Sequence, residues 1–121
     1  MHARRKDNIN CFQINLHHLR TATSNLEQLI NQHNVDITYV QEPYTINNKL
    51  AGLPRCHTVY TSGDGRKRTA IVINNDKLDV TLITQLSNED CVAVEMRSEA
   101  VKFYNVSMYF DSRRDIEENI S

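Results

Sequence analysis

The sequence lacks the features that mark secreted, zinc-binding and membrane-spanning proteins. Its three cysteines, Cys11, Cys56 and Cys91, are odd in number and widely spaced, which fits neither a disulfide framework nor a zinc site. No apolar run reaches the roughly 18 residues that a membrane span requires. The basic N-terminus is not followed by the apolar segment of a secretory signal. We therefore expect a reducing intracellular compartment, nuclear or cytoplasmic, and no membrane partner.

The chain also lacks an excess of charge of either sign. Its formal net charge is -1, so a nucleic-acid partner has to be argued from local clusters. Hydrophobic residues make up 40% and charged residues 24% of the 121 residues, as in an ordinary globular protein of one domain. Cys11 and Cys91 lie inside apolar runs and are predicted to be small core residues.

The first part of the sequence predicts a β-α-β unit. Residues 9–14 read as a strand, residues 21–34 as a helix capped by Thr21 or Thr23, and residues 35–40 as a second strand. Strands joined in this way are normally parallel neighbours in one sheet.

Strands in succession are predicted for the rest of the chain. Turn residues separate them and favour antiparallel pairing, while residues 47–54 are predicted to form a loop and residues 113–121 a helix. We expect an α/β domain with a mixed sheet over residues 9–121, preceded by a basic segment at residues 1–8. The predicted strands are residues 57–61, 69–73, 78–83, 91–96 and 101–107.

Polar side chains follow three of the predicted strands. Asn15 ends the first strand, Glu42 follows the second in the motif YVQEPY, and Tyr109 follows the last. Taken singly, each has a structural explanation as a turn, loop or packing residue. Parallel pairing would nevertheless bring Asn15 and Glu42 to the same sheet edge. A carboxylate at the rim of a rigid strand suits Mg²⁺, which is held by one or two carboxylates and several waters.

The motifs FQINL, DITYVQEPYT, AGLP, RTAIVIN and NVSMYF, in this order, resemble the endonuclease domain of non-LTR retrotransposons. The resemblance covers residues 12–110 and implies the four-layer α/β sandwich of the endonuclease/exonuclease/phosphatase superfamily. It implies that Asn15 hydrogen-bonds near the scissile phosphate, that Glu42 ligates Mg²⁺ or Mn²⁺, and that Tyr109 contacts the phosphate. A Mg²⁺-dependent endonuclease of this kind nicks target DNA and leaves a 3′-hydroxyl that primes reverse transcription. The implied partners are DNA, the element RNA and the reverse transcriptase domain of a full-length polyprotein.

The sequence departs from the family pattern after Tyr109, where neither Asp-x-Asn nor Ser-Asp-His occurs. We therefore expect a truncated domain, the N-terminal half of the sandwich, with negligible cleavage alone. Half a sandwich is also expected to expose an apolar sheet face and to self-associate. Two alternatives remain open: a phosphatase of the same superfamily, and a non-catalytic nucleic-acid-binding or interaction remnant of the same fold.

A basic cluster and the residue after the Gln-Glu-Pro motif are candidate DNA contacts. Arg66, Lys67 and Arg68 are predicted to lie on a hairpin tip, where they either hold DNA phosphates or merely cover a solvated turn. Arg68 is predicted to begin a strand, so a structural role is the alternative to DNA contact for this residue. Tyr44, in the loop after Glu42, is the fourth predicted nucleic-acid contact.

No histidine is assigned a catalytic role from the sequence. His17 and His18 follow Asn15 closely and could touch substrate, but a solvated pair at a helix start is the favoured interpretation. His33 is expected to pack at the helix end, and His57 to begin a strand.

Overall fold

The computed structural model describes residues 9–53, 57–99 and 101–110, and the chain begins there with the expected β-α-β unit. Strand β1 is Cys11–Asn15, helix α1 is Arg20–His33, and strand β2 is Ile37–Gln41. The two strands are parallel and in a register that pairs Asn15 with Gln41. Their carboxyl ends therefore lie side by side at one edge of the sheet.

Seven further strands follow, and every strand pair among the described residues except β1–β2 is antiparallel. They form a sheet of order β1-β2-β6-β5, a small β3-β4 sheet and a sheet of order β7-β8-β9. A short 3-10 helix precedes β8. The bounds are β3 Thr45–Ile46, β4 Lys49–Leu50, β5 Thr58–Tyr60, β6 Thr69–Ile73, β7 Asp79–Leu82, β8 Cys91–Ser98, β9 Val101–Met108 and the 3-10 helix Thr84–Leu86.

Two hydrophobic cores lie on opposite faces of the four-stranded sheet. Under α1, Leu26 and Ile30 of the helix pack with Val40 and Val72 of the sheet. The second core joins the four-stranded and three-stranded sheets face to face, so that the layers run helix, sheet, sheet. This arrangement confirms the predicted α/β fold with a mixed sheet. The buried residues of the second core are Ile37, Ile71, Ile73, Leu78, Val92, Val94 and Met96.

The helix starts differently from the prediction. Leu19 occupies the N-cap without a side-chain hydrogen bond, so the predicted caps Thr21 and Thr23 are wrong. Thr23 is buried inside the helix, and its hydroxyl donates to the Leu19 carbonyl at 2.8 Å. At the other end His33 stacks on Phe12 with ring centroids 6.3 Å apart, as expected of a residue that packs at the helix end.

The loop predicted for residues 47–54 is in part a β-hairpin. β3 and β4 pair through Thr45–Leu50 and Ile46–Lys49, with Asn47 and Asn48 between them. These two asparagines have φ values of 53° and 65°. Two-residue hairpin turns of this kind need positive φ at both central positions, which asparagine tolerates.

Strand β9 is an edge of the three-stranded sheet in the described structure. Its alternate residues Tyr104, Val106 and Met108 are exposed on the outer face. The inner face of β9 packs toward the four-stranded sheet, where the Tyr39 hydroxyl donates to Asn105 Oδ1. Burial raises the pKa of Tyr39, since the charged phenolate would lose its hydration there.

The cysteine prediction is wrong for Cys11, which is exposed, while Cys91 is half-buried. Phe12 and Ile14 pack on the core under α1, and alternation along the strand places Cys11 on the opposite side of the edge strand β1. In the described part of the chain, no helix is long and apolar enough to cross a membrane. The basic segment 1–8, Cys56, Pro54 and the helix predicted from residue 113 lie outside the described residues.

Candidate active site and nucleic-acid interface

Five polar or charged residues lie at the ends of strands along one edge of the two packed sheets. Asn15 ends β1 and Glu42 directly follows β2. Arg68 directly precedes β6, which is antiparallel to β2 and begins opposite its end. Asp90 directly precedes β8 and Tyr109 directly follows β9, at the paired ends of these two strands. The three residues predicted to be catalytic or metal-binding, Asn15, Glu42 and Tyr109, thereby lie on the same edge, together with the predicted DNA contact Arg68 and with Asp90.

His17 links Asn15 to Glu42. The backbone N–H of His17 donates to Asn15 Oδ1 at 2.8 Å. Its ring Nδ1 lies 3.4 Å from Glu42 Oε2, although the His17 side chain is 70% exposed. The amide oxygen of Asn15 is thus engaged by its own loop, which leaves the amide NH₂ as the donor of this side chain.

His18 lies against the turn that carries Glu42. Its backbone N–H donates to the Glu42 carbonyl at 2.9 Å, and its ring Nδ1 lies 3.2 Å from the Pro43 carbonyl oxygen. Its ring Nε2 is 3.8 Å from Glu42 Oε1. The sequence favoured two solvated histidines at the helix start. This is correct for the exposed His17, whereas the ring of His18 contacts the loop that carries Glu42.

The backbone has a positive φ at Glu42 and at the two histidines next to it. His17, His18 and Glu42 have φ values of 50°, 59° and 50°. The other described non-glycine residues with positive φ are all asparagines, the residue type that tolerates this conformation best. A non-glycine residue in the left-handed region costs of order 1–3 kcal/mol and persists only where the surrounding structure enforces it. Glu42 and the two histidines of the neighbouring loop are therefore held in this conformation by their surroundings.

Arg68 connects Glu42 to Tyr109. Its carbonyl accepts a hydrogen bond from the Glu42 N–H at 3.0 Å. Its guanidinium binds the Asp90 carboxylate through Nε to Oδ1 at 2.5 Å and Nη2 to Oδ2 at 3.0 Å, and lies 5.5 Å from the centroid of the Tyr109 ring. The Tyr109 N–H donates to the Asp90 carbonyl at 2.8 Å. Sequence reasoning missed Asp90, whose only signal was membership of an acidic turn.

A buried polar network lies beneath these residues and joins the two sheets. Gln41 Nε2 donates to Ser107 Oγ at 3.0 Å, and Thr69 Oγ1 lies 2.7 Å from the same Ser107 oxygen. The Thr69 hydroxyl also bonds the Val40 carbonyl at 3.1 Å. Gln41 and Thr69 each adjoin a site residue in sequence, so this network fixes the relative position of the strand ends.

The basic cluster is not uniformly available to a ligand. Arg66 is exposed, whereas Lys67 is 8% exposed and its ammonium donates to the Gly65 carbonyl at 2.7 Å. Arg68 is paired with Asp90 as described. The pKa of Glu89 is held below its ordinary value, chiefly because the Gly65 N–H donates to its carboxylate. This contact stabilises the loop at neutral pH and is lost as pH falls through the folded-state pKa.

Tyr44 lies at the base of the β3–β4 hairpin. It is half-buried, and its carbonyl accepts a hydrogen bond from the Ala51 N–H at 3.0 Å. The DNA contacts assigned to Tyr44, Arg66, Lys67 and Arg68 stay predictions, and the geometry favours Arg66 over Lys67 as a phosphate contact.

The surroundings of Glu42 suit a divalent cation that keeps most of its water better than a cation enclosed by protein ligands. The carboxylate is 23% exposed and stands at the rim of the sheet beside Asn15. In residues 9–53, 57–99 and 101–110, no group of three or more His, Cys, Asp and Glu side chains is placed to hold a metal ion. Mg²⁺ is commonly bound by one or two carboxylates, with water and substrate phosphate completing its shell. Glu42 is suited to serve as one such ligand.

Comparison with known proteins gives a match at the level of structure. No protein-family model matches the chain, and no curated protein matches it. Among solved structures, it is similar to the endonuclease domain of TRAS1, a telomere-specific non-LTR retrotransposon, with a TM-score of 0.77 and 29% sequence identity. The match covers 93% of this chain and 49% of the solved one, so the chain spans about half the length of that domain. The resemblance predicted from the motifs is confirmed, and the chain has the fold of a non-LTR retrotransposon endonuclease domain over that half.

Proposed function

We propose that the chain is part of a metal-dependent DNA endonuclease domain that nicks target DNA for retrotransposition. The observation that carries this proposal is the meeting of Asn15, Glu42 and Tyr109 at one edge of the sandwich, joined by contacts through His17 and Arg68. The fold similarity to a retrotransposon endonuclease domain supports it. The proposed partners are DNA and, in a longer polyprotein, the element RNA and a reverse transcriptase domain, in the nucleus or cytoplasm.

The geometry suggests a role for each residue. Glu42 would hold Mg²⁺ or Mn²⁺, which supplies stabilisation of charge on the phosphoryl oxygens. The amide NH₂ of Asn15 and the hydroxyl of Tyr109 would donate hydrogen bonds to phosphate oxygens. Arg68 adds a positive charge beside Tyr109, and Asp90 holds its guanidinium in a two-point ion pair.

We further propose that the chain alone binds DNA and a cation but cleaves at a negligible rate. The described edge contributes a single carboxylate, Glu42, that suits a hard cation, and Asp90 is already paired with Arg68. A plasmid nicking assay with Mg²⁺ and with Mn²⁺ checks this point. Nicking that disappears in Glu42→Gln would contradict the low activity while supporting the endonuclease assignment.

Cation-dependent DNA binding is the direct test of the proposed function. At constant ionic strength, Mg²⁺ should tighten binding to a duplex oligonucleotide by about tenfold, because a cation held by Glu42 would add an attraction for DNA of about 1.4 kcal/mol. Glu42→Gln should abolish the Mg²⁺ effect in fluorescence anisotropy titrations. Glu27→Gln, which makes the same change of charge on α1, is the matched control and should retain it.

An affinity that responds neither to Mg²⁺ nor to Glu42→Gln would overturn the endonuclease assignment. If DNA binding then still depended on Arg66, the non-catalytic nucleic-acid-binding alternative would be favoured. Cation-dependent hydrolysis of small phosphate esters, without DNA binding, would instead indicate the phosphatase alternative.

Arg66 and Lys67 are adjacent basic residues, one exposed and one buried, and comparing their alanine variants tests whether the basic loop contacts DNA. Arg66→Ala should weaken DNA binding at all sequences and reduce the slope of log affinity against log salt by about 1, as expected for one lost phosphate contact. Lys67→Ala should leave that slope unchanged, because the Lys67 ammonium is buried on the Gly65 carbonyl. Equal losses of slope in both variants would show that Lys67 leaves its loop to bind DNA.

A further inference from the structure

The direction in which the Glu42 side chain leaves the sheet is not determined by β2 itself. The strand ends at Gln41, and Glu42 has left the extended conformation for a φ of 50°. One backbone contact holds this residue from the β6 side, its N–H to the Arg68 carbonyl. Among the described residues, the loop that follows β1 supplies further polar contacts to this turn.

His18 supplies most of the contacts from that side. Its backbone N–H donates to the Glu42 carbonyl, and its ring Nδ1 lies within hydrogen-bond distance of the Pro43 carbonyl. A carbonyl oxygen only accepts, so this contact places the hydrogen on Nδ1 and fixes the orientation of the ring. The other ring nitrogen, Nε2, then lies 3.8 Å from Glu42 Oε1, which is too far for a hydrogen bond to the carboxylate.

We propose that His18 is the positioning residue for Glu42: it clamps the carbonyls of Glu42 and Pro43 and so aims the carboxylate at the cation. This inference rests on the proposed function of Glu42 as a cation ligand. Groups that orient metal ligands typically contribute 10–100-fold to metal affinity. His18 itself need not touch the cation, the DNA or the reacting atoms.

His17 provides a comparison within the same loop. It has the same side chain, a similar left-handed backbone and a ring nitrogen at 3.4 Å from the same carboxylate. Its side chain is 70% exposed, and the Pro43 carbonyl is contacted by the ring of His18. If nearness of an imidazole to the carboxylate were the cause, replacing either histidine would have the same effect.

Mn²⁺ binding measured by electron paramagnetic resonance tests the clamp. His18→Ala should weaken Glu42-dependent Mn²⁺ binding by about tenfold. His17→Ala removes an exposed ring but keeps the backbone N–H that donates to Asn15, and should weaken this binding less than His18→Ala does. His18→Asn should restore most of the affinity, because an asparagine NH₂ can donate where Nδ1 does and asparagine tolerates positive φ. His18→Gly, which relieves backbone strain but has no ring, should bind as weakly as His18→Ala.

Hydrogen exchange at the Glu42 amide provides a second readout that needs no metal. Loss of the clamp should speed this exchange in His18→Ala and His18→Gly, and His18→Asn should slow it again. If His18→Gly has the Mn²⁺ affinity and the Glu42 amide exchange rate of the wild type, the clamp proposal is wrong. The proposed function still stands in that case, provided that the wild-type protein binds Mn²⁺ and needs Glu42 to do so. Wild-type protein without Glu42-dependent Mn²⁺ binding would contradict the proposed function, and the exchange rates would then decide the clamp separately.

Discussion

Replacing Ile71 with alanine should lower the free energy of unfolding by about 3 kcal/mol, the usual range for a buried isoleucine being about 2–5 kcal/mol. Ile71 is fully buried in the core between the two sheets, on the central strand β6. Its removal leaves a cavity that packed strands on both sides cannot easily fill. Urea unfolding followed by circular dichroism measures the change.

The matched control is Ile46→Ala, since Ile46 is 54% exposed on the small hairpin. Its cost should stay below about 1 kcal/mol, as for most surface substitutions. Equal losses in the two variants would mean that the two sheets do not pack through Ile71. The position of Tyr109 relative to Glu42 would then have to be held by the Gln41–Ser107 and Thr69–Ser107 bonds and the Arg68–Asp90 pair.

Replacing Thr69 with valine should cost about 2 kcal/mol, although the two side chains have nearly the same shape. The change removes the hydroxyl that bonds both the Val40 carbonyl and Ser107 Oγ, and leaves buried polar atoms with fewer partners. The loss should also weaken Mg²⁺-dependent DNA binding, because this network underlies the strand ends that carry Glu42 and Arg68. Chemical unfolding and anisotropy titration measure the two effects.

A double-mutant cycle with Ser107→Ala separates this network from local packing. Thr69→Val and Ser107→Ala should be coupled by about 1 kcal/mol, as expected of residues that share a hydrogen bond. Additive effects would show that the hydroxyls act independently and that the network does not join the sheets. The exposed pair Thr81→Val and Thr84→Ala, in which no such bond is shared, should give no coupling.

The parts of the fold that local pattern determines were predictable from the sequence. Residues 69–73 form a fully buried strand, apolar from Ala70 onward, because one face meets α1 and the other meets the second sheet. The helical periodicity around Leu26 and Ile30 placed α1 within a residue at each end. Parallel pairing of the flanking strands then made the shared edge for Asn15 and Glu42 a geometric consequence.

The parts that depend on tertiary contact were not predictable. Arg68 and Asp90 precede strands of different sheets, and neither their residue types nor their spacing in the sequence predicts that they pair. The contacts between His18 and the Glu42 turn depend on a left-handed backbone at both residues, which is uncommon for any residue other than glycine. Cys11 sits in an apolar run yet faces outward, because β1 is an edge strand with a single packed side.

Within residues 9–53, 57–99 and 101–110, β9 is a sheet edge, and this has a consequence for how the candidate site is enclosed. Any strand that hydrogen-bonds along Val101–Met108 would terminate next to Tyr109 or run past it. A polypeptide that pairs there would lie beside the exposed side chains Tyr104, Val106 and Met108 and would extend the sheet next to the candidate site. If Tyr109 contacts phosphate as proposed, a strand paired with this edge would also control access to the Tyr109 hydroxyl, which would couple assembly to substrate access.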